Sequence, residues 1–313
     1  MVRDTAFIIT LFFSLILIAK APGQARIKNG FNLEASSIPP EEIRNGGPPR
    51  DGIPSIDDPH FVEAKSATYP LDSDRVLGIV IDGLAKAYPI GIMNYHEIVN
   101  DHFDSTAVVI TYCPLCGSGI AFQSNIQGTN RTFGVSGLLY NSDVLLYDRE
   151  SESLWSQLMN EAITGPLKGT TLEIIPTANT TWKDWKDLYP ETKVLTTQTG
   201  HFRDYTSTPY TGYDESEKTY FPVNNSSNLY HSKDWVTVVT VNGQSKAYPF
   251  EELKKAKSTI IDKIGEVSFK VYFDKKNQSA RVVDSKNKEL PYYNTFWFAW
   301  YAFHPDGEVY KSK

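Results

Sequence analysis

The chain of 313 residues is 41% hydrophobic and 13% aromatic, enough apolar material for a sizeable core, which excludes disorder of the whole. Its formal net charge is −6 and no Arg-rich run or basic stripe appears, so nucleic acid is excluded as a partner class. Cys113 and Cys116 are its two cysteines, which excludes a wider disulfide framework.

At the N-terminus, Arg3 precedes an apolar run of 14 residues, Ala6 to Ala19, followed by Lys20 and the helix-breaking Ala21-Pro22-Gly23-Gln24-Ala25. A charged start, an apolar stretch and a small-residue exit predict a signal peptide over residues 1–25, because the run falls short of the ~20 residues that span a bilayer. The expected location is extracytoplasmic (secreted, periplasmic or cell-surface), with membrane contact only through this segment where it stays uncleaved. No cysteine follows the run, which excludes a lipoprotein anchor. Asn-x-Ser/Thr sequons at Asn130, Asn179, Asn224, Asn225 and Asn277 are compatible with export. Residues 26–60, rich in Pro and Gly, read as an irregular leader.

The strongest organisational signal is an internal repeat. Asp74 to Pro89 matches Asp234 to Pro249 at an offset of 160 residues, and Lys-Ala-Tyr-Pro is identical in the two copies. In each copy a β-branched run leads into Asp82-Gly83 or Asn242-Gly243, the dipeptides of a tight type I′ hairpin turn. A short helix is predicted next, over 90–99 and 250–257, and then a strand over 107–112 and 267–273. Between the copies, strands are predicted at 131–135, 144–147 and 193–195, and a helix at 182–189 with Thr180 or Thr181 as its N-cap. The fold expectation is α+β, mainly β: one domain over 61–313 holding two hairpin–helix–strand units, about 74–122 and 234–283. The cysteines follow the last strand of the first unit. At the 160 offset the second unit has Phe273 and Lys276 there, so thiol chemistry belongs to the first unit alone.

The pair Cys113-Pro114-Leu115-Cys116 has three chemical readings. A structural disulfide closing so short a loop contributes only ~2 kcal/mol on the chain-entropy model. A dithiol–disulfide oxidoreductase needs an activating helix N-terminus, whereas Gly117-Ser118-Gly119-Ile120 reads as a glycine turn entering a strand. A soft-metal site uses both sulfurs plus a histidine, with copper preferred and zinc second. His96, shortly before the strand that delivers Cys113, is the first candidate for the third arm, and His304, in an aromatic cluster, is the second. A binding module for a small ligand or glycan, with a structural disulfide and an aromatic cleft, is the non-enzymatic rival. The expected partner is thus a metal ion or a small molecule.

Candidate pocket residues are Glu97 and Asp101, one helical turn apart, and Ser136, Asn141, Asp143, Asp148 and Arg149 in a dense polar–glycine stretch. Asp143, Asp148 and Arg149 are able to pair across a cleft. A network of β-turns capped by Asn, Ser and Asp side chains, and a solvated helix face for Glu97 and Asp101, explain the same residues without function.

Several of these segments resemble one family. They are His96-Glu97-Ile98-Val99-Asn100-Asp101, Thr111-Tyr112-Cys113-Pro114-Leu115-Cys116-Gly117, Phe133 to Gly137 with Asn141-Ser142-Asp143, Tyr147-Asp148-Arg149, Trp155-Ser156-Gln157, Gly165-Pro166, Phe221-Pro222-Val223, Lys246-Ala247-Tyr248-Pro249 and Phe296 to Trp300. Together they resemble domain-of-unknown-function 3179, a family of bacterial and archaeal proteins, many apparently exported. The resemblance spans roughly residues 60–305 and implies one coherent domain. It brings no activity, substrate or cofactor with it.

Overall fold

The computed structural model describes residues 26–257 and 259–312, so the predicted signal segment lies outside the described residues. Strand accounts for 41% of the described residues and helix for 10%, matching the mainly-β expectation. Among the described residues, no helix is long and apolar enough to cross a membrane. The leader forms only the two-residue strands Ile27–Lys28, Phe31–Asn32 and Arg44–Asn45.

The first hairpin pairs β1 (Arg75–Ile81) with β2 (Leu84–Pro89). Asp82 and Gly83 both take positive φ, 51° and 83°, as a type I′ turn requires. Pro89 then caps α1 (Ile90–His96), where a missing N–H costs nothing. Glu97 ends that helix in the left-handed region, and the chain continues into β3 (Ile98–Phe103), β4 (Thr106–Cys113) and β5 (Ser118–Gln123), an antiparallel meander. A second hairpin crosses the middle of the chain, β6 (Phe133–Tyr140) with β7 (Asp143–Asp148), extended by β8 (Leu154–Ser156). Next come β9 (Ala178–Thr181), α2 (Trp182–Leu188), capped by the Thr181 hydroxyl accepting from the Asp184 N–H, and β10 (Lys193–Leu195).

The same succession of elements follows. Strands β11 (Trp235–Val241) and β12 (Gln244–Pro249) turn at Asn242-Gly243, and Pro249 caps α3 (Phe250–Lys255). A meander follows, of β13 (Thr259–Ile264), β14 (Val267–Asp274) and β15 (Ser279–Asp284). The chain ends with β16 (Tyr292–Phe296), α4 (Trp297–Phe303) and β17 (Glu308–Val309). In sheet order, β9-β1-β2-β10 parallels β16-β11-β12-β17, each with one antiparallel and one parallel flank. Helices α2 and α4 both bury a Trp-x-x-Trp pair, Trp182/Trp185 and Trp297/Trp300.

The shared Lys-Ala-Tyr-Pro has a physical basis. Lys86 and Tyr88 lie on one face of β2, and both bond Asp101 of β3, at 2.8 and 2.6 Å. Lys246 and Tyr248 bond Asp262 of β13 in the same way, at 2.9 and 2.8 Å. Asp101, expected as a pocket residue, therefore clamps the hairpin to the meander.

A correction concerns the register between the two halves. Cys113↔Ser118 and Asp274↔Ser279 close the two meander ladders, so the positions matching Cys113 and Cys116 are Asp274 and Asn277, not Phe273 and Lys276. One extra residue between α3 and β13 moves the offset from 160 to 161.

The halves interlock. Strand β5 pairs with β16 through Asn294↔Gly119, joining the first meander and the second hairpin in one sheet. The largest apolar cluster lies along this seam and includes Trp155, Phe296, Trp297 and Trp300 together with Cys113 and Cys116.

Candidate functional site

The thiols sit in the β4–β5 turn. The Cys116 N–H donates to the Cys113 carbonyl at 3.1 Å, and Gly117 completes the turn at φ 61°. A Cβ at Gly117 would fall 2.9 Å from the Phe296 ring, so both the backbone and the space demand glycine. The Cys116 carbonyl accepts from the Phe296 N–H at 2.8 Å and the Thr295 hydroxyl at 2.9 Å, which pins the turn against the second half. The glycine turn entering a strand is as the sequence predicts.

Facing the thiols is the tight turn of the β6–β7 hairpin, where Asn141 and Ser142 both take positive φ. Its geometry aims the Ser142 carbonyl at both sulfurs, 3.8 Å from Cys113 Sγ and 3.4 Å from Cys116 Sγ. It also delivers Asp143, so that one carboxylate oxygen and the two sulfurs all lie within 4.8 Å of one another. Cys113 is 1% exposed, and Cys116 and Asp143 are 0% exposed. The cysteines are unbridged.

Asp143 Oδ2 accepts from the Leu158 N–H at 3.0 Å and the Ser156 hydroxyl at 3.4 Å, while Oδ1 has no partner among the described residues. The Ser142 and Tyr213 hydroxyls are likewise buried and without a partner among the described residues. Burial pushes the Asp143 carboxyl up to about 7 against the opposing pull of its hydrogen bonds. Burial, followed by the neighbouring Cys113, raises the Cys116 thiol well above its usual range. Glu97, in its left-handed cap at φ 57°, shares a cavity of about 90 Å³ with Cys113, Val144 and Tyr210. Burial and then the nearby Asp143 push its carboxyl up to about 8.

The segment between β10 and β11 roofs the site. Tyr213 is buried there, and Lys233 lies over its ring at 4.3 Å. The Lys233 ammonium donates to the carbonyls of Ser216 and Lys218 at 2.9 and 3.1 Å. Burial lowers its pKa, and the neighbouring Glu217 and Cys116 oppose that shift.

The structure separates the other expected site residues from the thiols. His96 spends both ring nitrogens elsewhere, Nδ1 on the Pro54 carbonyl at 2.7 Å and Nε2 on the Tyr205 hydroxyl at 2.6 Å. His304 stacks on Trp300. Neither histidine joins the sulfurs; the third group there is Asp143. Asp148 is consumed by Arg131 at 2.9 Å, Ser151 at 2.6 Å and the Trp155 indole at 2.9 Å. Arg149 pairs with Asp57, not with Asp143 or Asp148. The Ser136 hydroxyl bonds the Leu145 carbonyl inside the bulge of β6, and Asn141 receives the Asn224 N–H at 2.8 Å. Hydrogen bonds within the fold thus engage Ser136, Asn141 and Asp148. Sequence reasoning missed Ser142, Tyr213 and Lys233. Ser142 sits inside the quoted Asn-Ser-Asp turn; the other two lie in a segment without periodicity.

Fold and site together define a class: an interlocked β-rich domain with a buried thiol–carboxylate cluster at the seam of its halves. The chain belongs to the family described as a protein of unknown function (DUF3179), whose model matches residues 50–307. Comparison with curated proteins gave no match, nor did comparison with solved structures.

Proposed function

We propose that this chain is an exported metal-binding protein whose ion is held by Cys113, Cys116 and Asp143. The observation that carries the reading is the convergence of three donor groups within 4.8 Å in a site with almost no solvent exposure. Asp143 Oδ1, the hydroxyl of Ser142, whose carbonyl faces the sulfurs, and the hydroxyl of Tyr213 are buried without partners among the described residues. Orphaned polar atoms of this kind call for an occupant, an ion or water.

The donor set bears on the ion. Two thiolates and a carboxylate carry three negative charges, which a divalent ion offsets better than a monovalent one. Zinc accepts sulfur and carboxylate oxygen together. The soft environment that singles out copper(I) is diluted once a carboxylate stands where a histidine was expected. Zinc therefore moves ahead of copper. Binding displaces the thiol protons, so affinity rises with pH.

The oxidoreductase reading is weaker, because exchange needs an accessible thiol of lowered pKa, whereas these are buried and Cys116 is raised. Export rests on the N-terminal segment and the sequons. Descent of the two halves by duplication is also part of the proposal, supported by the matching sheet orders, paired clamps and paired Trp-x-x-Trp helices.

The test is metal analysis of protein purified from an exported compartment, against Cys113→Ser/Cys116→Ser and Asp143→Asn variants. About one zinc per wild-type chain, lost from the double variant, is expected. Copper in its place keeps the site and changes the ion. Equal metal content in wild type and double variant rejects the site.

A further inference from the structure

On the far side of the seam, the β14–β15 turn docks on the first half as the thiol turn docks on the second. Arg75 donates to the carbonyls of Asn277 and Gln278 at 3.1 and 3.2 Å, and the Asn277 amide donates to Asp184 at 3.1 Å. Beside this contact lies a cavity of about 200 Å³ between α2 and β9 on one side and β14–β15 on the other. Its walls include Trp185, Tyr189, Tyr272 and Tyr292. Trp185 and Tyr189 pack with ring centroids 4.4 Å apart. Tyr189, Arg281 and Glu289 also line a neighbouring surface groove of about 470 Å³.

The charge on these walls is unbalanced. Asp184, Asp274 and Glu289 face a single lining cation, Arg281, which Glu289 already engages at 2.7 Å. Asp184 accepts from Thr180 and Asn277, and Asp274 from Asn277 and two backbone N–H groups; all these donors are neutral. Arg75 lies behind the wall near Asp184, its guanidinium spent on Asn179 and the carbonyls of Asn277 and Gln278. Counting it, three carboxylates stand against two guanidinium groups beside four aromatic rings, with Lys183 a further cation near Asp184. A cavity this small admits only a small ligand. Aromatic faces with an adjacent carboxylate recognise an organic cation through ring quadrupoles and direct charge attraction.

We infer that this cavity is a second ligand site, built for a small organic cation of the ammonium class. It goes beyond the metal reading and does not depend on it. The two halves of the scaffold thus present the same docked turn with different chemistry, thiols at one seam and an aromatic–acidic cage at the other.

The test is saturation-transfer NMR of tetramethylammonium chloride with the full chain at constant ionic strength, with tert-butanol as the neutral isostere. A saturable signal from the cation and none from tert-butanol is expected. Asp184→Asn and Tyr189→Ala are each expected to weaken binding at least fivefold. Asp184 also anchors Thr180 and Asn277, so Asp274→Asn serves as the second charge variant, with the same expectation. The Cys113→Ser/Cys116→Ser chain is expected to bind as wild type does. Equal response to tert-butanol, no saturable response, or unchanged affinity in the folded variants overturns the inference.

Discussion

The turn Cys113–Gly117 and its counterpart Asp274–Gln278 occupy matching ladder positions and differ in chemistry. Each closes a β-meander, each places a residue of positive φ at its last position, Gly117 at 61° and Gln278 at 49°, and each docks on the opposite half. In the second turn the Asn277 amide donates to Asp274 at 2.7 Å, and the pair is satisfied internally. In the first, the two thiols face Asp143, whose Oδ1 remains unpartnered. The unpartnered buried oxygen beside the first turn sets it apart from the second, whose Asp274–Asn277 pair is satisfied internally. The contrast separates what the scaffold requires from what the site adds.

The largest expected effect falls on the paired clamps, and tests whether the halves are equally dependent on them. Asp101 is buried and holds the buried Tyr88 hydroxyl, so Asp101→Ala is expected to cost about 3–5 kcal/mol. Asp262 is partly exposed, and Asp262→Ala is expected to cost about 1 kcal/mol. Urea unfolding of the two variants measures the difference. Equal costs would mean that burial does not distinguish the halves.

Next is pH. Burial lowers the pKa of His96 to about 4, so the fold favours its neutral form. A base with a depressed folded pKa contributes stability that is present above its unfolded value near 6.5 and is lost as pH falls through about 4, on the order of 3 kcal/mol. The second half has no histidine at the end of α3. A His96→Gln variant is expected to flatten stability between pH 6.5 and 4, and NMR titration of the ring checks the value directly. A ring that titrates near 6.5 would show that burial does not hold it neutral.

A smaller pair of effects sits in the turns themselves. Gly117→Ala meets both a positive φ and the Phe296 ring, and is expected to cost about 2–3 kcal/mol, whereas Gln278→Gly relieves a left-handed residue and is expected to stay within about 1 kcal/mol of wild type. Thermal unfolding checks both. A Gly117→Ala chain as stable as wild type would mean that the thiol turn is not held against β16.

Much of the scaffold was legible because its signals are local. Asp82-Gly83 and Asn242-Gly243 specify their turns through backbone conformation alone, and Lys-Ala-Tyr-Pro repeats because the lysine, the tyrosine and the proline each have a structural task. Helix starts at Pro89 and Pro249 and the cap at Thr181 were readable for the same reason. The pairing of α2 with α4 was not, because the segments between repeated elements differ in length and no fixed offset links the two Trp-x-x-Trp pairs. The thiols were legible as a motif but their partner was not. His96 is near in sequence, yet its ring reaches Pro54 and Tyr205 rather than the sulfurs. Asp143 comes from a hairpin 27 residues past Cys116 that belongs to a different sheet from β4 and β5, so the packing that brings it to the thiols is invisible to spacing. Sequence spacing places Glu97 and Asp101 on one helix face; the helix ends before Glu97, which turns to the Asp143 side while Asp101 joins Lys86 and Tyr88.

The central claim is that Cys113, Cys116 and Asp143 hold a metal ion together. X-ray absorption spectroscopy at the zinc edge, on full-length protein purified from an exported compartment, tests it most directly. The account predicts two sulfur neighbours at about 2.3 Å and oxygen neighbours at about 2.0–2.2 Å, with the sulfur shell lost in Cys113→Ser/Cys116→Ser. A shell of nitrogen and oxygen without sulfur, or protein that carries no zinc or copper, would contradict it.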